Sequence, residues 1–280
     1  MTPASGSVII AAHNEEALIE RCLESLTAAI AEGVQVVVVC NGCTDRTAEL
    51  ARNHAGVSVV ELAVASKVAA LRVGDQLVNG GVRIYLDADV VMTSRAVHDV
   101  LSALNGGHFA GRPPVRFDYA GAAFAVRRWY TVRERLPSIQ EALWGAGCYA
   151  LSPLGRERFE EFPDVISDDL FIDSLFGPTE RTIVSTDPVV VTTPRVTADL
   201  VRILQRSYRS QREVREGRGV SDEQRGQLRD IAALLRRRPQ QLGDVIIYVL
   251  IILYSRLRAR SRRPVGWERD NSSRSVPRVD

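Results

Sequence analysis

Val82-Arg83-Ile84-Tyr85-Leu86-Asp87-Ala88-Asp89 is a short run of β-branched and aromatic residues that stops on two carboxylates. It reads as a buried strand ending at its C-terminal side. In an extended chain residues i and i+2 project to the same side, so Asp87 and Asp89 are expected to face one spot. Three similar runs lie upstream, at 8–12, 34–39 and 57–62, and the stretches between and after them carry helical spacing. The first of these has an apolar stripe of Leu18, Cys22, Leu26 and Ala29/Ile30, ends near Gly33, and takes Asn14 as N-cap with Glu15 and Glu16 in its first turn. Further helices are expected over 44–54, 66–78 and 94–104. Strands alternating with helices build a parallel sheet through βαβ units. Such sheets bind ligands outside their strand C-termini, where the two aspartates fall.

Beyond Gly106-Gly107 the regularity drops. A Pro113-Pro114 break precedes a basic helix over 126–135 and a Gly-rich, strand-like stretch over 144–151. Helices over 153–162 and 169–176, a strand over 181–191 and an Arg-rich helix over 197–215 follow. Gly217-Arg218-Gly219 reads as a hinge, two more helices cover 222–238 and 244–263, and the polar end of the chain is expected to fray.

At 280 residues the chain suits one large domain or two modest ones. Its 36 basic and 34 acidic residues nearly cancel, and its 45% hydrophobic content is that of a globular protein. Disorder and nucleic-acid binding by bulk positive charge are therefore excluded as leading readings. Four cysteines at unequal spacing do not make a secreted disulfide framework, and the N-terminal residues lack the pattern of an export signal. A reducing, cytoplasmic setting is the expectation. Lys67 is the only lysine; every other cation is arginine. Coding bias accounts for most of that, but a position that keeps lysine can need a compact ammonium instead of a planar fork.

Alone, Asp87-Ala88-Asp89 describes a solvated turn as well as a site. Two hard oxygen ligands at a strand end also suit Mg²⁺ or Mn²⁺ bridging to a bound diphosphate. Three further segments fit that reading in order: Ala-Ala-His-Asn-Glu-Glu at 11–16, Cys-Asn-Gly-Cys-Thr-Asp at 40–45, and Ser-Lys-Val-Ala-Ala-Leu at 66–71. An acidic pair, Asp168-Asp169, follows about eighty residues after the metal motif. Together these resemble the family 2 glycosyltransferases, whose patterns run P/A-x-x-N-E-E, D-D/N-G-S-T-D, G-K-x-x-A-L-N, D-x-D and E-D. The resemblance covers 8–173.

It implies an α/β fold: a GT-A type, Rossmann-like mixed sheet flanked by helices, with an α-helical C-terminal extension. The implied division is a catalytic domain over 1–195, split into a nucleotide-sugar half (1–105) and an acceptor half (106–195). A helical region over 196–264 and a tail over 265–280 follow. The implied reaction moves a sugar from a nucleotide-diphosphate sugar to an acceptor hydroxyl with inversion, assisted by Mn²⁺ or Mg²⁺. Ala11, His13, Glu15 and Asn41 would hold base and ribose, with His13 packing or stacking rather than ligating metal. Lys67 would meet diphosphate or nucleobase, and Asp87, Ala88 and Asp89 ribose and metal, Asp87 and Asp89 being the ligands. Asp169 would take the acceptor proton as general base, with Asp168 orienting the site. The bland alternative is that both acids only favour a helix N-terminus.

Departures from the pattern bear on detail. Asn41 stands where aspartate often contacts uracil, which keeps UDP favoured but admits GDP or dTDP, since an amide both donates and accepts. Arg72 stands where asparagine is usual. Gln205-Arg206-Ser207-Tyr208-Arg209 only approximates the Q-x-x-R-W of processive synthases, and a solvated basic helix explains it equally. The Gly145-Ala146-Gly147-Cys148 stretch reads either as a loop that approaches the ligands or as a bulged strand.

Rival functions differ in what they require. A retaining GT-A transferase shares fold and metal but needs no base. A nucleotidyltransferase needs a Gly-rich triphosphate loop after the first strand, and 11–16 contains no glycine. A non-catalytic sugar-nucleotide module has no need of both acidic motifs. A redox role for the Cys40/Cys43 pair lacks thioredoxin-like surroundings, and zinc lacks a second C-x-x-C.

The partners expected are a nucleotide sugar and an unidentified hydroxyl acceptor, without nucleic acid. Ten consecutive apolar or aromatic residues at 245–254 reach only ~15 Å as a helix, about half of the ~30 Å hydrocarbon core, which excludes a span. Two readings stay open for 244–263: packing within the chain or against a second subunit, or peripheral contact with the inner face of a membrane through the following arginines. Packing is favoured, because an interfacial helix should carry a polar face.

Overall fold

In the computed structural model, residues 6–165, 167–217 and 222–261 are described. The first strands are β1 (Gly6–Ala12), β2 (Gln35–Asn41), β3 (Val57–Leu62) and β4 (Val82–Asp87). They alternate with α1 (Ile19–Ala31), α2 (Thr47–Arg52) and α3 (Lys67–Leu77). Next come β5 (Val90–Val91), α4 (Ser94–Asn105), β6 (Ala110–Arg112), β7 (Val115–Asp118), α5 (Phe124–Arg133) and α6 (Pro137–Gln140). After β8 (Cys148–Leu151), α7 (Pro153–Arg156), α8 (Asp168–Asp173), β9 (Arg181–Ile183) and β10 (Val189–Thr192), the chain closes with α9 (Thr197–Gly217), α10 (Asp222–Arg237) and α11 (Leu242–Ser261).

Seven strands form a mixed sheet in the order β3-β2-β1-β4-β8-β6-β9. The four strands from β3 to β4 are parallel, and β8 runs antiparallel to both β4 and β6. Val8, Ile9 and Ile10 and the whole run 36–40 are buried, the near-continuous hydrophobic pattern of strands covered on both faces. In register, Ala11 lies opposite Asp87 and Ala12 opposite Cys40, so the chain leaves β2, β1 and β4 at neighbouring points of one edge. A second, three-stranded sheet has the order β5-β10-β7.

The chain divides into two units. Among the described residues the first holds 6–116, 143–164 and 171–191, and the second holds 117–142, 165–170 and 192–261. In the core of the first, Ile9, Val37, Leu71 and Tyr85 pack with Tyr149, Phe162, Ile172 and Phe176. Tyr85 stacks on Tyr149 with ring centres 4.9 Å apart and gives its hydroxyl hydrogen to Asp75 at 2.6 Å. Asp75, nearly sealed from solvent, also takes Arg156 at 2.5 Å and faces Arg83 at 3.5 Å. That carboxylate and its burial push the Tyr85 phenol well above its usual range, burial being the larger cause.

Several elements depart from the periodicity. Asn14 is not a helix cap: α1 starts five residues later, because Asn14 adopts φ +53° and spends its side chain across the sheet edge. The strand expected over 181–191 is two, since Pro188 can give no ladder N–H and the intervening turn is tied by Thr186 to Asp99 at 2.6 Å. The helix over 153–162 shortens to one turn, and β6 and β7, flanking Pro113-Pro114, escape a hydrophobic search because each is so short. The centre of the Gly217–Gly219 hinge and the tail over 265–280 lie outside the described residues.

In the second unit α11 packs on α5 and α9. Val245, Tyr248, Ile251, Ser255 and Ala259 form the buried side, and Tyr248 stacks on Trp129 at 5.3 Å. Packing within the chain, the reading favoured for 244–263, accounts for one side of 245–254. Its neighbours cover one side only, and Ile246, Leu250, Leu253 and Tyr254 are exposed. Among the described residues no helix is long and apolar enough to cross a membrane.

Candidate functional site

The turns after β1 and β2 are stitched to each other. Asn14, in the left-handed conformation that asparagine tolerates better than most residues, accepts through Oδ1 from the Thr44 N–H at 2.6 Å. The Glu15 N–H donates to Thr47 Oγ1 at 2.6 Å, and that hydroxyl donates to Asp45 at 2.5 Å. The Glu16 N–H donates to Asp45 Oδ2, and the Arg46 N–H to Glu16. Gly42, at φ +59°, lets the β2 turn lie close against the segment before α3: a β-carbon there would stand 2.7 Å from that of Ala65.

His13 Nδ1 lies 2.5 Å from the Asn41 carbonyl, which only accepts, so the ring carries its proton on Nδ1 and Nε2 accepts from Asn14 Nδ2 at 3.3 Å. His13 is thereby a bracket between the two turns. Asn41 is buried; its Nδ2 donates to the Ala12 carbonyl at 2.8 Å, and its Oδ1 is out of solvent with no hydrogen-bond donor. That orphaned acceptor is the kind of group a ligand N–H would satisfy.

Cys40 and Cys43 are both free thiols. The Cys40 S–H donates to Cys43 Sγ, and with the Asn14 N–H at 3.3 Å this brings the Cys43 thiol down to about 7 while Cys40 is pushed up. The pair is thus part of the stitching.

At the end of β4, Lys67 opens α3 behind Ser66, whose hydroxyl caps the helix by accepting from the Ala69 N–H. Its ammonium meets Asp87 Oδ1 at 2.7 Å. This pairing, which the sequence reading missed, gives Lys67 a carboxylate partner at the strand end. The extended geometry ends at Asp87, so the i, i+2 argument does not carry to Asp89; Ala88 and Asp89 form a turn, with Ala88 buried and both aspartates half-buried. The Cys22 thiol donates to the Asp87 carbonyl at 3.9 Å; burial pushes it up, and Asp89 and then Asp87 raise it further. Arg21 donates to the Asp89 carbonyl at 3.4 Å.

Gly147 closes on this turn from β8's entry. Its carbonyl accepts from the Asp87 N–H at 2.8 Å, and at φ +63° it has no room for a side chain, since a β-carbon would meet Val90 at 2.5 Å and Asp87 Oδ2 at 3.2 Å. The Gly-rich stretch is therefore a loop that approaches the carboxylates. Arg72 turns the other way, donating to the Phe162 carbonyl at 2.8 Å and facing Glu161 and Asp164, a structural clamp.

A divalent ion fits the Asp87/Asp89 pair only as a shared ligand. Among the described residues no three His, Cys, Asp or Glu side chains could hold one alone, whereas one or two carboxylates completed by phosphate oxygens and water are the usual Mg²⁺-type arrangement.

Asp168 and Asp169 belong to the second unit, at the start of α8. Asp168 is buried; Asp169 is half-buried, its Oδ1 taking the Ser167 hydroxyl at 2.6 Å and the Leu170 N–H at 2.8 Å. Ala11, His13, Glu15, Asn41, Lys67, Asp87, Ala88 and Asp89 come together along the β2-β1-β4 edge of the first. On α9, three residues apart, Arg202 is exposed and pairs with Asp199 at 2.8 Å whereas Gln205 is buried, so the basic helix is not solvated all round.

Solved structures share this fold. A mannosyltransferase, PcManGT from Pyrobaculum calidifontis, in complex with GDP-Man and Mn²⁺, is 20% identical with a TM-score of 0.61, over 93% of this chain and 76% of that one. S. aureus TarS 1-349 in complex with UDP-GlcNAc is 14% identical (TM-score 0.53), over 91% of each chain. Glucosyl-3-phosphoglycerate synthase from Mycobacterium tuberculosis in complex with phosphoglyceric acid is 19% identical (TM-score 0.53), over 78% of this chain and 81% of that one. No curated protein matches the chain by sequence. The model of glycosyl transferase family 2 matches residues 7–150, just over half of the chain, from the first strand through β8 and both stitched turns, and the protein belongs to that family.

Proposed function

We propose that this glycosyltransferase moves a sugar from a nucleoside-diphosphate sugar to an acceptor hydroxyl with inversion, assisted by Mn²⁺ or Mg²⁺. The observation that carries the reading is the junction at the end of β4: Asp87 and Asp89, one of them paired with Lys67, stand beside the hydrogen-bonded turns after β1 and β2. A bound divalent ion would stabilise charge developing on the departing diphosphate. The chain's own residues bind and orient. Lys67 and the two aspartates hold the diphosphate end, while Glu15 and the wall built on His13 and Asn41 receive ribose and base.

The buried Asn41 Oδ1 suits a base with a ring N–H, as uracil, thymine and guanine have and adenine and cytosine lack. UDP is favoured, with GDP and dTDP served by the same acceptor. The solved relatives with GDP-Man and UDP-GlcNAc support that donor class. We assign donor recognition to 1–105, acceptor recognition to 106–195, and the base role to Asp169, whose Oδ1 is oriented by two donors, with Asp168 positioning it. The setting we assign is cytoplasmic.

The test is a panel of nucleotide sugars with Mn²⁺, Mg²⁺ or chelator, read by thermal unfolding and by NMR of the product anomer. A ligand at 100 times its Kd stabilises by about 2.7 kcal/mol, so UDP-sugars should raise Tm only with metal, and Asp89→Asn should abolish that rise and turnover while staying folded. Metal-independent stabilisation that Asp89→Asn leaves intact would take the metal out of the site; a retained anomer would sink inversion.

A further inference from the structure

In the second unit, α11 presents a second apolar face. Leu242, Ile246, Leu250, Leu253, Tyr254 and Leu257 are 49–64% exposed, and their spacing places them in one file on the side opposite Val245, Tyr248 and Ile251. From first to last the file runs fifteen residues, roughly 22 Å of helix. Single exposed leucines need no explanation; six large apolar side chains in one stripe mark an interaction surface.

Charge selects the partner. The formal charge of +2 conceals an asymmetry, because residues 196–280 hold 19 arginines against 10 acids, a net of +9, leaving −7 for residues 1–195. On α11 itself Arg256 lies over the Tyr208 ring and Arg258 over the ring of Tyr254, within the stripe, while Arg260, Arg262 and Arg263 follow in the sequence. A second copy docked through this helix would bring two regions of +9 together, whereas an anionic surface complements them.

We propose that α11 is an in-plane docking helix, seating the Leu242–Leu257 stripe in the headgroup boundary of an anionic bilayer while the arginines meet lipid phosphates. The polar face expected of an isolated interfacial helix is not needed, because that side of α11 is buried against α5 and α9. The inference does not depend on the donor chemistry.

The test is flotation of the full-length protein with phosphatidylcholine vesicles, with and without phosphatidylglycerol, at low and high salt. The protein should float with the anionic vesicles, and weakly or not at all with the neutral ones, each arginine near an anionic surface being worth roughly a five-fold gain in binding. High salt should weaken flotation. The substitution Leu250→Glu with Leu257→Glu changes exposed positions only; it should preserve thermal unfolding and abolish flotation. Should that variant unfold, the lipid-charge and salt dependence of the wild-type chain decides alone. No flotation with anionic vesicles, or flotation that the folded double variant retains, overturns the proposal. So does a lipid-free dimer in analytical ultracentrifugation that the double substitution splits, which would give the face to a second copy.

Discussion

Gly147→Ala tests whether the loop before β8 sets the position of Asp87. Two costs add. At φ +63° an L-residue is disfavoured by roughly 1–2 kcal/mol. The new carbon would also stand 2.5 Å from Val90 Cγ2, well inside the ~3.5–4 Å of ordinary contact, an overpacking of about 1–3 kcal/mol. The sum, about 2–5 kcal/mol, lowers Tm by roughly 4–20 °C for a chain of this size. Relief requires the turn to move by nearly the overlap, on the order of 1 Å, and Asp87 moves with it through its N–H bond to the Gly147 carbonyl. A misplacement of that size costs turnover about 10²-fold. The assay pairs thermal unfolding with donor-dependent turnover, against Gly80→Ala as control: Gly80 has φ +52° and open space around it, so it carries the backbone cost alone. If Gly147→Ala loses no more stability than Gly80→Ala and keeps its turnover, packing of the loop on Asp87 is not what positions the carboxylate.

Asp75→Ala should destabilise the fold by roughly 1–3 kcal/mol in denaturant unfolding, because it takes from the half-buried Arg156 guanidinium its 2.5 Å carboxylate and from the Tyr85 hydroxyl its acceptor; a loss below about 0.5 kcal/mol would mean the site rehydrates. Among the four cysteines Cys43 should alkylate first, with a pH midpoint near 7 because the Cys40 S–H and the Asn14 N–H stabilise its thiolate. Bound UDP should slow the reaction, and a midpoint at the ordinary ~8.5 would refute the assigned hydrogen bonds. Asp169→Asn should lower kcat about 10²-fold or more with donor-induced stabilisation unchanged. The same profile for Asp168→Asn alone would exchange their roles, and its absence from both would remove the base.

The sheet was legible because its strands are buried on both faces, and burial writes itself as Val-Ile runs at 8–10, 36–39 and 82–86. Residue types at the strand ends were legible too. Their contacts were not, for physical reasons that differ. Asn14 reads as a helix cap because the same short amide that caps a helix also tolerates φ +53° and can bond Thr44 thirty residues away. Thr47 and Asp45 read as ordinary helix-start residues until Glu15 is known to lie above them. The Lys67–Asp87 pair joins a helix start to a strand end twenty residues on, and no local periodicity encodes it. In α11 the sequence is apolar all round, so only the fold reveals which side α5 and α9 cover.

The two sides of the candidate site are held by different physics, and this bears on the order of binding. The β1 and β2 turns are closed by neutral and charge-assisted hydrogen bonds that need no ligand, so the base side is preorganised and its immobilisation cost is met in folding. At the diphosphate side the formal charges are Asp87 and Asp89 against Lys67 and Arg21, a sum of zero. A dianionic diphosphate alone would take that sum to −2 beside two carboxylates, and a dication alone to +2; together they restore zero. Each should therefore raise the affinity of the other by the same factor, as linkage requires. Removing one cation shifts the balance: Lys67→Met should weaken nucleotide binding while increasing its dependence on metal concentration. Equal metal dependence in wild type and Lys67→Met would show that the ammonium and the ion do not share one anion.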